Sequence, residues 1–229
     1  MKTMFRVSSF LLTTGILVGS FVGFWYGPWS PNLDHRARNL IVQDHLQEGV
    51  DLFLWKAEYA LSKEAKHEAL WNAARTASLR SESSIQIRHL LNRCLEEEDF
   101  IYRAEVHAQL ATLLFEEQPR ESIKHWEWAL YYGHQKDESV TWRVRLAMAL
   151  EAEGKMVEAI DVWEEALGYP NSARMAHMVL GRLLLDDDPD MSVYHFQKAK
   201  QLTEQQQDQA AELGFRVAQF EVEYMENLH

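Results

Sequence analysis

Residues 143–170, RVRLAMALEAEGKMVEAIDVWEEALGYP, hold the pattern that decides the fold. Leu146, Ala147 and Leu150 recur at helical spacing, Gly154 interrupts, and Ala159-x-x-x-Trp163-x-x-Ala166 opens a second helical stretch. A small residue, a large aromatic four on and another small residue three further share one helical face. That phrase returns on either side as Ser122-x-x-x-Trp126-x-x-Ala129 and Ser192-x-x-x-Phe196-x-x-Ala199. The first phrase returns as well: Leu110-Ala111, Leu146-Ala147, Leu180-Gly181 and Leu213-Gly214 follow one another at intervals of 36, 34 and 33 residues. Two helix types alternating at such a period predict stacked helical hairpins, an architecture whose usual work is holding other proteins.

Working outward, Leu33 to Leu61 reads as one long helix, a stalk merging into the packed body. Further helices are expected near 66–79, 83–97, 100–117, 119–132, 137–153, 156–168, 172–186, 189–203 and 205–226, with no convincing strand. Pro119 and Pro189 suit first-turn positions behind Gln118 and Asp188, Pro170 precedes the candidate cap Asn171, and Thr203 and Gln206 have capping-box spacing. These local stops agree with the repeat register, which strengthens both.

Arg143 to Pro170 resembles the tetratricopeptide repeat, with Leu146, Ala147, Leu150, Gly154, Met156, Ala159, Trp163 and Ala166 in that family's register. Arg143 stands where the family often has Trp, with Trp142 one place away. Copies around Leu110 to Ala129 and Leu180 to Ala199 fit less fully, and a faint one runs from Trp71 through Ile87, Leu91 and Cys94. The resemblance covers about residues 66 to 226 and implies an all-α, right-handed solenoid. Taken with the composition of its amino-terminal part, the chain divides into a basic flank (1–6), a membrane span (7–27), a linker and stalk (28–65), helical repeats (66–204) and a capping helix (205–229). Leu213, Phe215, Val217, Phe220 and Val222 of that last helix are suited to covering the preceding pair. By the resemblance Trp126, Trp163 and Phe196 pack in the core. The groove-facing places on the first helices carry Gln109, Thr112, Arg145, Met148, Met178 and Arg182, the candidate protein-binding residues. The family's chaperone-tail clamp needs Lys and Asn where this chain has Ala108, Thr112, Val144 and Met148, so that specialised role is disfavoured.

The amino terminus has a different character. No charged residue occurs between Arg6 and Asp34, and residues 7–27 are mostly Phe, Leu, Val, Ile and Gly, enough to cross a bilayer. Phe24, Trp25, Tyr26 and Trp29 suit the headgroup region. A cleaved signal peptide is the competing reading, since Lys2 and Arg6 form a basic flank. The length of the run and the want of a small-x-small cleavage site favour an anchor. Basic residues before the span, against Arg36 and Arg38 balanced by Asp34 and Asp44 after it, place the amino terminus in the cytoplasm and the body beyond the membrane. In a Gram-negative host that means an inner-membrane protein with a periplasmic domain. Gly15, Gly19, Gly23 and Gly27 form a small-residue stripe that lets a second helix approach, either another copy or a different membrane protein.

The remaining chemistry is sparse. A net charge of −12 argues against a general nucleic-acid binder, which needs clustered Lys and Arg. Cys94 is the single cysteine, so intrachain disulfides and Cys-rich metal sites are excluded, and it is expected to pack as a small apolar residue. Ten histidines show no zinc-type spacing; His125, His134, His177 and His195 read as ordinary surface or half-buried residues. Asp186 to Asp190 reads as a solvated turn with a helix cap, lacking the ligand pattern of a calcium loop. No GxSxG, phosphate loop or metal-ligand set appears, so no enzyme activity, cofactor, metal or small-molecule substrate is expected. The sequence therefore points to a membrane-anchored repeat scaffold that recruits or assembles a protein partner, including a membrane protein, at a membrane complex. A permanent structural accessory subunit of a larger membrane assembly is the alternative.

Overall fold

The computed structural model describes residues 32–79, 84–133 and 138–226, with side chains as far as Gln207. The predicted span over 7–27 and its glycine stripe lie outside the described residues, and no described helix is long and apolar enough to cross a membrane. Among the described residues all regular structure is helical. Ten helices follow one another among the described residues: α1 (Leu33–Val42), α2 (Leu46–Glu58), α3 (Lys63–Ser78), α4 (Ser84–Glu96), α5 (Arg103–Leu114), α6 (Pro119–Gly133), α7 (Ser139–Ala152), α8 (Met156–Ala166), α9 (Pro170–Leu183) and α10 (Pro189–Glu226). The chain divides into two compact units, residues 1–113 and 114–229.

In the first unit the expected stalk is two helices that fold back on each other. Asp44 takes a left-handed conformation (φ 64°), and the amides of Asp44 and His45 donate to the carbonyls of Ile41 and Leu40 at 3.1 and 2.8 Å. This is a Schellman turn built on Asp, one of the few side chains that tolerate the left-handed region. Gly49 permits the return, because a Cβ there would lie 3.1 Å from Ile41. Lys56 near the end of α2 grips Asp34 in the first turn of α1 at 2.7 and 2.8 Å, which fixes the pair antiparallel. Ala37, Val50, Phe53 and Ala73 form the core where α1, α2 and α3 meet. Ser62 caps α3 by accepting from the Ala65 amide at 3.1 Å. A larger core joins Leu70, Trp71, Leu91, Cys94, Phe100 and Leu110. Cys94 is fully buried there, and burial pushes its thiol up to about 12, so it packs as an inert small residue as expected. His67 is also buried; its Nδ1 accepts from the Ile101 amide at 3.4 Å.

The second unit follows the repeat. Neighbouring helices pack in order from α6 to α10, and α7 also meets α9. Gly154 closes α7 with φ 74°, and the amides of Gly154 and Lys155 each donate at 2.9 Å to Glu151 and Leu150. Pro170 is the first residue of α9 instead of preceding a cap at Asn171, since its fixed φ suits a first turn. Ser172, buried behind it, donates to the Ala166 carbonyl at 2.7 Å and ties α9 to the end of α8. Asp188 caps α10 by accepting from the Met191 amide at 3.1 Å, with Pro189 in the first turn as expected. Trp163 is fully buried among Ala147, Ala166, Ala176 and Leu180. Trp126 is buried as well. Phe196 departs from the core expectation: its ring lies on Gly181, where a Cβ would approach to 3.0 Å, yet 39% of the residue is exposed.

That exposure has a cause in α10, which runs unbroken through the expected junction at residue 204. Lys200 to Gln207 contains no Gly or Pro and is built mostly from good helix formers. Thr203 does not cap a new helix; its hydroxyl donates to the Ala199 carbonyl at 2.9 Å, back onto the preceding turn of α10. The separate capping helix over 205–226 is therefore absent, because nothing in the sequence stops α10.

Two outcomes follow from this packing. Trp163→Ala removes a fully enclosed indole and is expected to cost about 3–5 kcal/mol in urea unfolding, whereas Phe196→Ala, with part of its ring already wet, is expected to cost roughly 1–2 kcal/mol. Burial holds His67, His125, His177 and His195 below the ordinary imidazole value of 6.5. The unfolded chain then takes up protons first as pH falls, so the histidine contribution to stability is complete above about pH 6.5 and is lost progressively below it. Melting temperatures at pH 7.5 and 5.5 should show the drop.

Candidate functional site

Helical geometry aligns two rows of side chains in the second unit. On α7, Thr141, Val144, Met148 and Glu151 fall at i, i+3, i+7 and i+10; on α9, Met175, Met178 and Arg182 repeat that spacing, with Leu185 in the turn beyond. The two helices meet, and the rows are joined where Arg182 of one reaches Glu151 of the other. Val144 and Met148 are half buried against the Trp163 cluster. The α9 row is open: Met175 is 41% exposed, Met178 49% and Leu185 56%.

One ion pair crosses between the rows. Arg182 Nη2 donates to Glu151 Oε2, while Glu151 Oε1 accepts from the Trp163 indole Nε1 at 2.7 Å. Glu151 thus serves the buried indole with one oxygen and the exposed guanidinium with the other. The result is a face with three thioether or leucine side chains open to a partner and its principal charge internally compensated. Met adapts its shape to irregular apolar surfaces, so such a face accepts the apolar side of a helix or an extended segment.

The structure places the six sequence-derived residues in different circumstances. Met148, Met178 and Arg182 stand in the two rows. Arg145 is exposed beside the α7 row, without an ion-pair partner among the described residues. Gln109 and Thr112 belong to the first unit; Gln109 Oε1 accepts from the Ser78 hydroxyl at 3.3 Å, and the exposed Thr112 spends its hydroxyl on the Ala108 carbonyl at 2.9 Å. Sequence reasoning missed Met175, Leu185 and Glu151. The spacing of 175, 178, 182 and 185 was the signal for the first two, whereas the double role of Glu151 depends on where Trp163 and Arg182 arrive in space. Arg143, at the place where the resemblance suggests Trp, keeps an aromatic-like contact by setting its guanidinium 5.1 Å from the Tyr169 ring centre.

Two other groupings are chemically distinct. In the first unit Arg38, Glu68, Asn72 and Arg75 line a cleft of about 410 Å³ with Ile41 and Phe53, a setting in which two cations are accompanied by a carboxylate. In the second, His177 on α9 and the buried His195 on α10 share a hydrogen bond between their Nδ1 atoms at 2.9 Å. These two were expected to be ordinary surface or half-buried residues; the hairpin brings them together, and burial is the main cause of their lowered pKa values. One ring must donate and the other accept, so the pair stands only while at least one ring is neutral. His134 lies outside the described residues. Among the described residues no cluster of three metal-binding side chains occurs.

No family model and no curated protein sequence matches the chain. Solved structures do. MamA from Desulfovibrio magneticus RS-1 is 13% identical, with 76% of this chain and 94% of that chain covered and a TM-score of 0.59. YrrB, a tetratricopeptide repeat protein with an unusual peptide-binding site, is 15% identical, with 80% and 91% covered and a TM-score of 0.58. A further MamA structure reaches a TM-score of 0.61 at 13% identity, covering 75% of this chain and 96% of that chain. At these identities the likeness is one of fold: the chain has a tetratricopeptide-type helical architecture.

The two oxygens of Glu151 predict unequal mutants. Glu151→Ala strands the indole N–H of a fully buried Trp and should cost about 1–3 kcal/mol. Arg182→Ala removes only an exposed partner and should cost roughly 0–1 kcal/mol. Chemical denaturation of the two variants measures the difference, and equal losses would remove Glu151 from its central place.

Proposed function

We propose that this chain is a membrane-anchored scaffold that uses the face between α7 and α9 to hold another protein at a membrane complex. The observation that carries the reading is the open row of Met175, Met178 and Leu185 beside the compensated Arg182–Glu151 pair. Soluble surfaces rarely gather long apolar side chains in a row, and a row flanked by polar groups marks an interaction site. Arg145, exposed at its margin, supplies a cation for carboxylates or carbonyl oxygens of the partner. The tetratricopeptide-type fold supports a protein-binding role in place of catalysis.

The apolar run of residues 7–27 supplies the anchor in this reading, with the amino terminus in the cytoplasm and the folded body across the membrane, in the periplasm of a Gram-negative cell. Gly15, Gly19, Gly23 and Gly27 offer the span a packing face for a membrane protein partner. Tethering raises the local concentration of a client near that partner, so a modest affinity at the α7–α9 face suffices.

A photo-crosslinker introduced at position 175 of the full-length protein in native membranes should capture a discrete protein partner, identified by mass spectrometry. Met178→Glu should remove that product by tenfold or more while leaving the protein folded, and a reporter fused to the carboxyl terminus should read the far side of the membrane. Retention of a fixed-ratio complex by Met178→Glu, together with its loss in Gly19→Leu/Gly23→Leu, would replace the scaffold with a permanent accessory subunit.

A further inference from the structure

The last hairpin of the second unit is open where the hairpin before it is closed. Trp163 on α8 is enclosed because Ala176 and Leu180 of the next helix lie over it. Phe196 holds the same place one repeat later, on α10, and it is 39% exposed, with Val193 at 54% and Met191 at 42% close by in sequence. The chain does contain the residues that the repeat would lay over Phe196: thirty-three residues after Leu180-Gly181 stand Leu213-Gly214. In α9 Leu180 is the covering residue, so Leu213 is its counterpart.

Leu213 cannot cover Phe196 of its own chain. Both lie on α10, a single helix from Pro189 to Glu226, and their seventeen-residue separation is about 25 Å along a straight helix. The face of α10 that meets α9 through the buried Ser192 and Ala199 also continues past the end of that contact. At alternating steps of three and four residues the sequence register of that face reaches Thr203, Gln206, Ala210, Leu213, Val217, Phe220 and Tyr224, which is mostly apolar from Ala210 on.

We propose that the occupant is a second copy of this chain: residues 205–226 of each copy lie over the Val193–Phe196 edge of the other, replacing in trans the cap that an unbroken α10 cannot form in cis. A two-fold axis passing beside α10 at the level of Glu204 brings Phe196 of one copy to Leu213 of its twin and, by the same operation, Leu213 to Phe196. Both open edges close at once and no edge is left to extend the assembly, as an isologous exchange of identical elements requires. The arrangement needs neither the membrane span nor the α7–α9 face.

The test uses full-length protein in detergent micelles. Copies carrying Phe196→Cys and one affinity tag are co-expressed with copies carrying Leu213→Cys and another, then oxidised mildly. Cys94 is buried and does not compete. A disulfide joining the two tags, several-fold more abundant than in a Phe196→Cys pair or a Phe196→Cys with Gln207→Cys pair, is the expected result. It should persist when Gly19→Leu/Gly23→Leu removes association through the span. Insertion of Gly-Ser-Gly after Thr203 should let each chain cap itself, halving the mass seen by light scattering. A monomeric parent chain, a 196–213 disulfide formed within one chain, or a dimer that disappears with Gly19→Leu/Gly23→Leu would each overturn the exchange. Should a cysteine variant lose its helical signal, the mass of the unsubstituted chain beside that of the insertion variant decides.

Discussion

The enclosure of Trp163 is the constraint from which the second unit takes its form. A large ring on the second helix of a hairpin cannot be covered by its own hairpin alone, so the next first helix is drawn over it; here Leu180 and Ala176 of α9 complete the shell. The indole carries an N–H into that dry setting, where an unmet donor carries a desolvation cost. Glu151 meets it from α7 and, with its other oxygen, fixes Arg182 of α9. One buried ring therefore sets the spacing of α7 and α9 and, through it, the outward row of methionines. Packing and recognition are two sides of the same pair of helices.

The first unit reaches stability by another route. Its aromatic residues stack among themselves, Trp71 against Tyr102 with ring centres 5.6 Å apart. Small residues such as Ala69, Ala73 and Ala74 let α3 sit close to its neighbours. This is why the repeat is faint there: with the aromatic in a different place, the same helical-hairpin geometry needs no Trp on the second helix.

Legibility in the sequence tracked how local the cause was. The hairpin of α7 and α8 could be read because Leu146, Ala147, Gly154, Ala159, Trp163 and Ala166 each act through helical spacing or a left-handed turn that only a few residues permit. The fold-back at Asp44 was hidden, since Asp enters the left-handed region without the Gly or Pro that announces a turn. The Thr203 and Gln206 spacing misled for the opposite reason: a capping box needs a chain that arrives extended, and the residues before Thr203 arrive as helix. The site was half visible. Met148, Met178 and Arg182 fall in the rows on α7 and α9, whereas Gln109 and Thr112 have their polar groups engaged within the first unit, and the joint role of Glu151 belongs to tertiary structure alone.

Leu33 is fully buried at the very start of α1, and Asp34 beside it is clasped by Lys56. With the span of the proposed anchor ending at residue 27, only five residues remain as leash, an extended reach of ~17 Å. Under the proposed anchoring, a body on so short a leash would not sweep the compartment for distant clients, and whatever it grips would be held close to bilayer height.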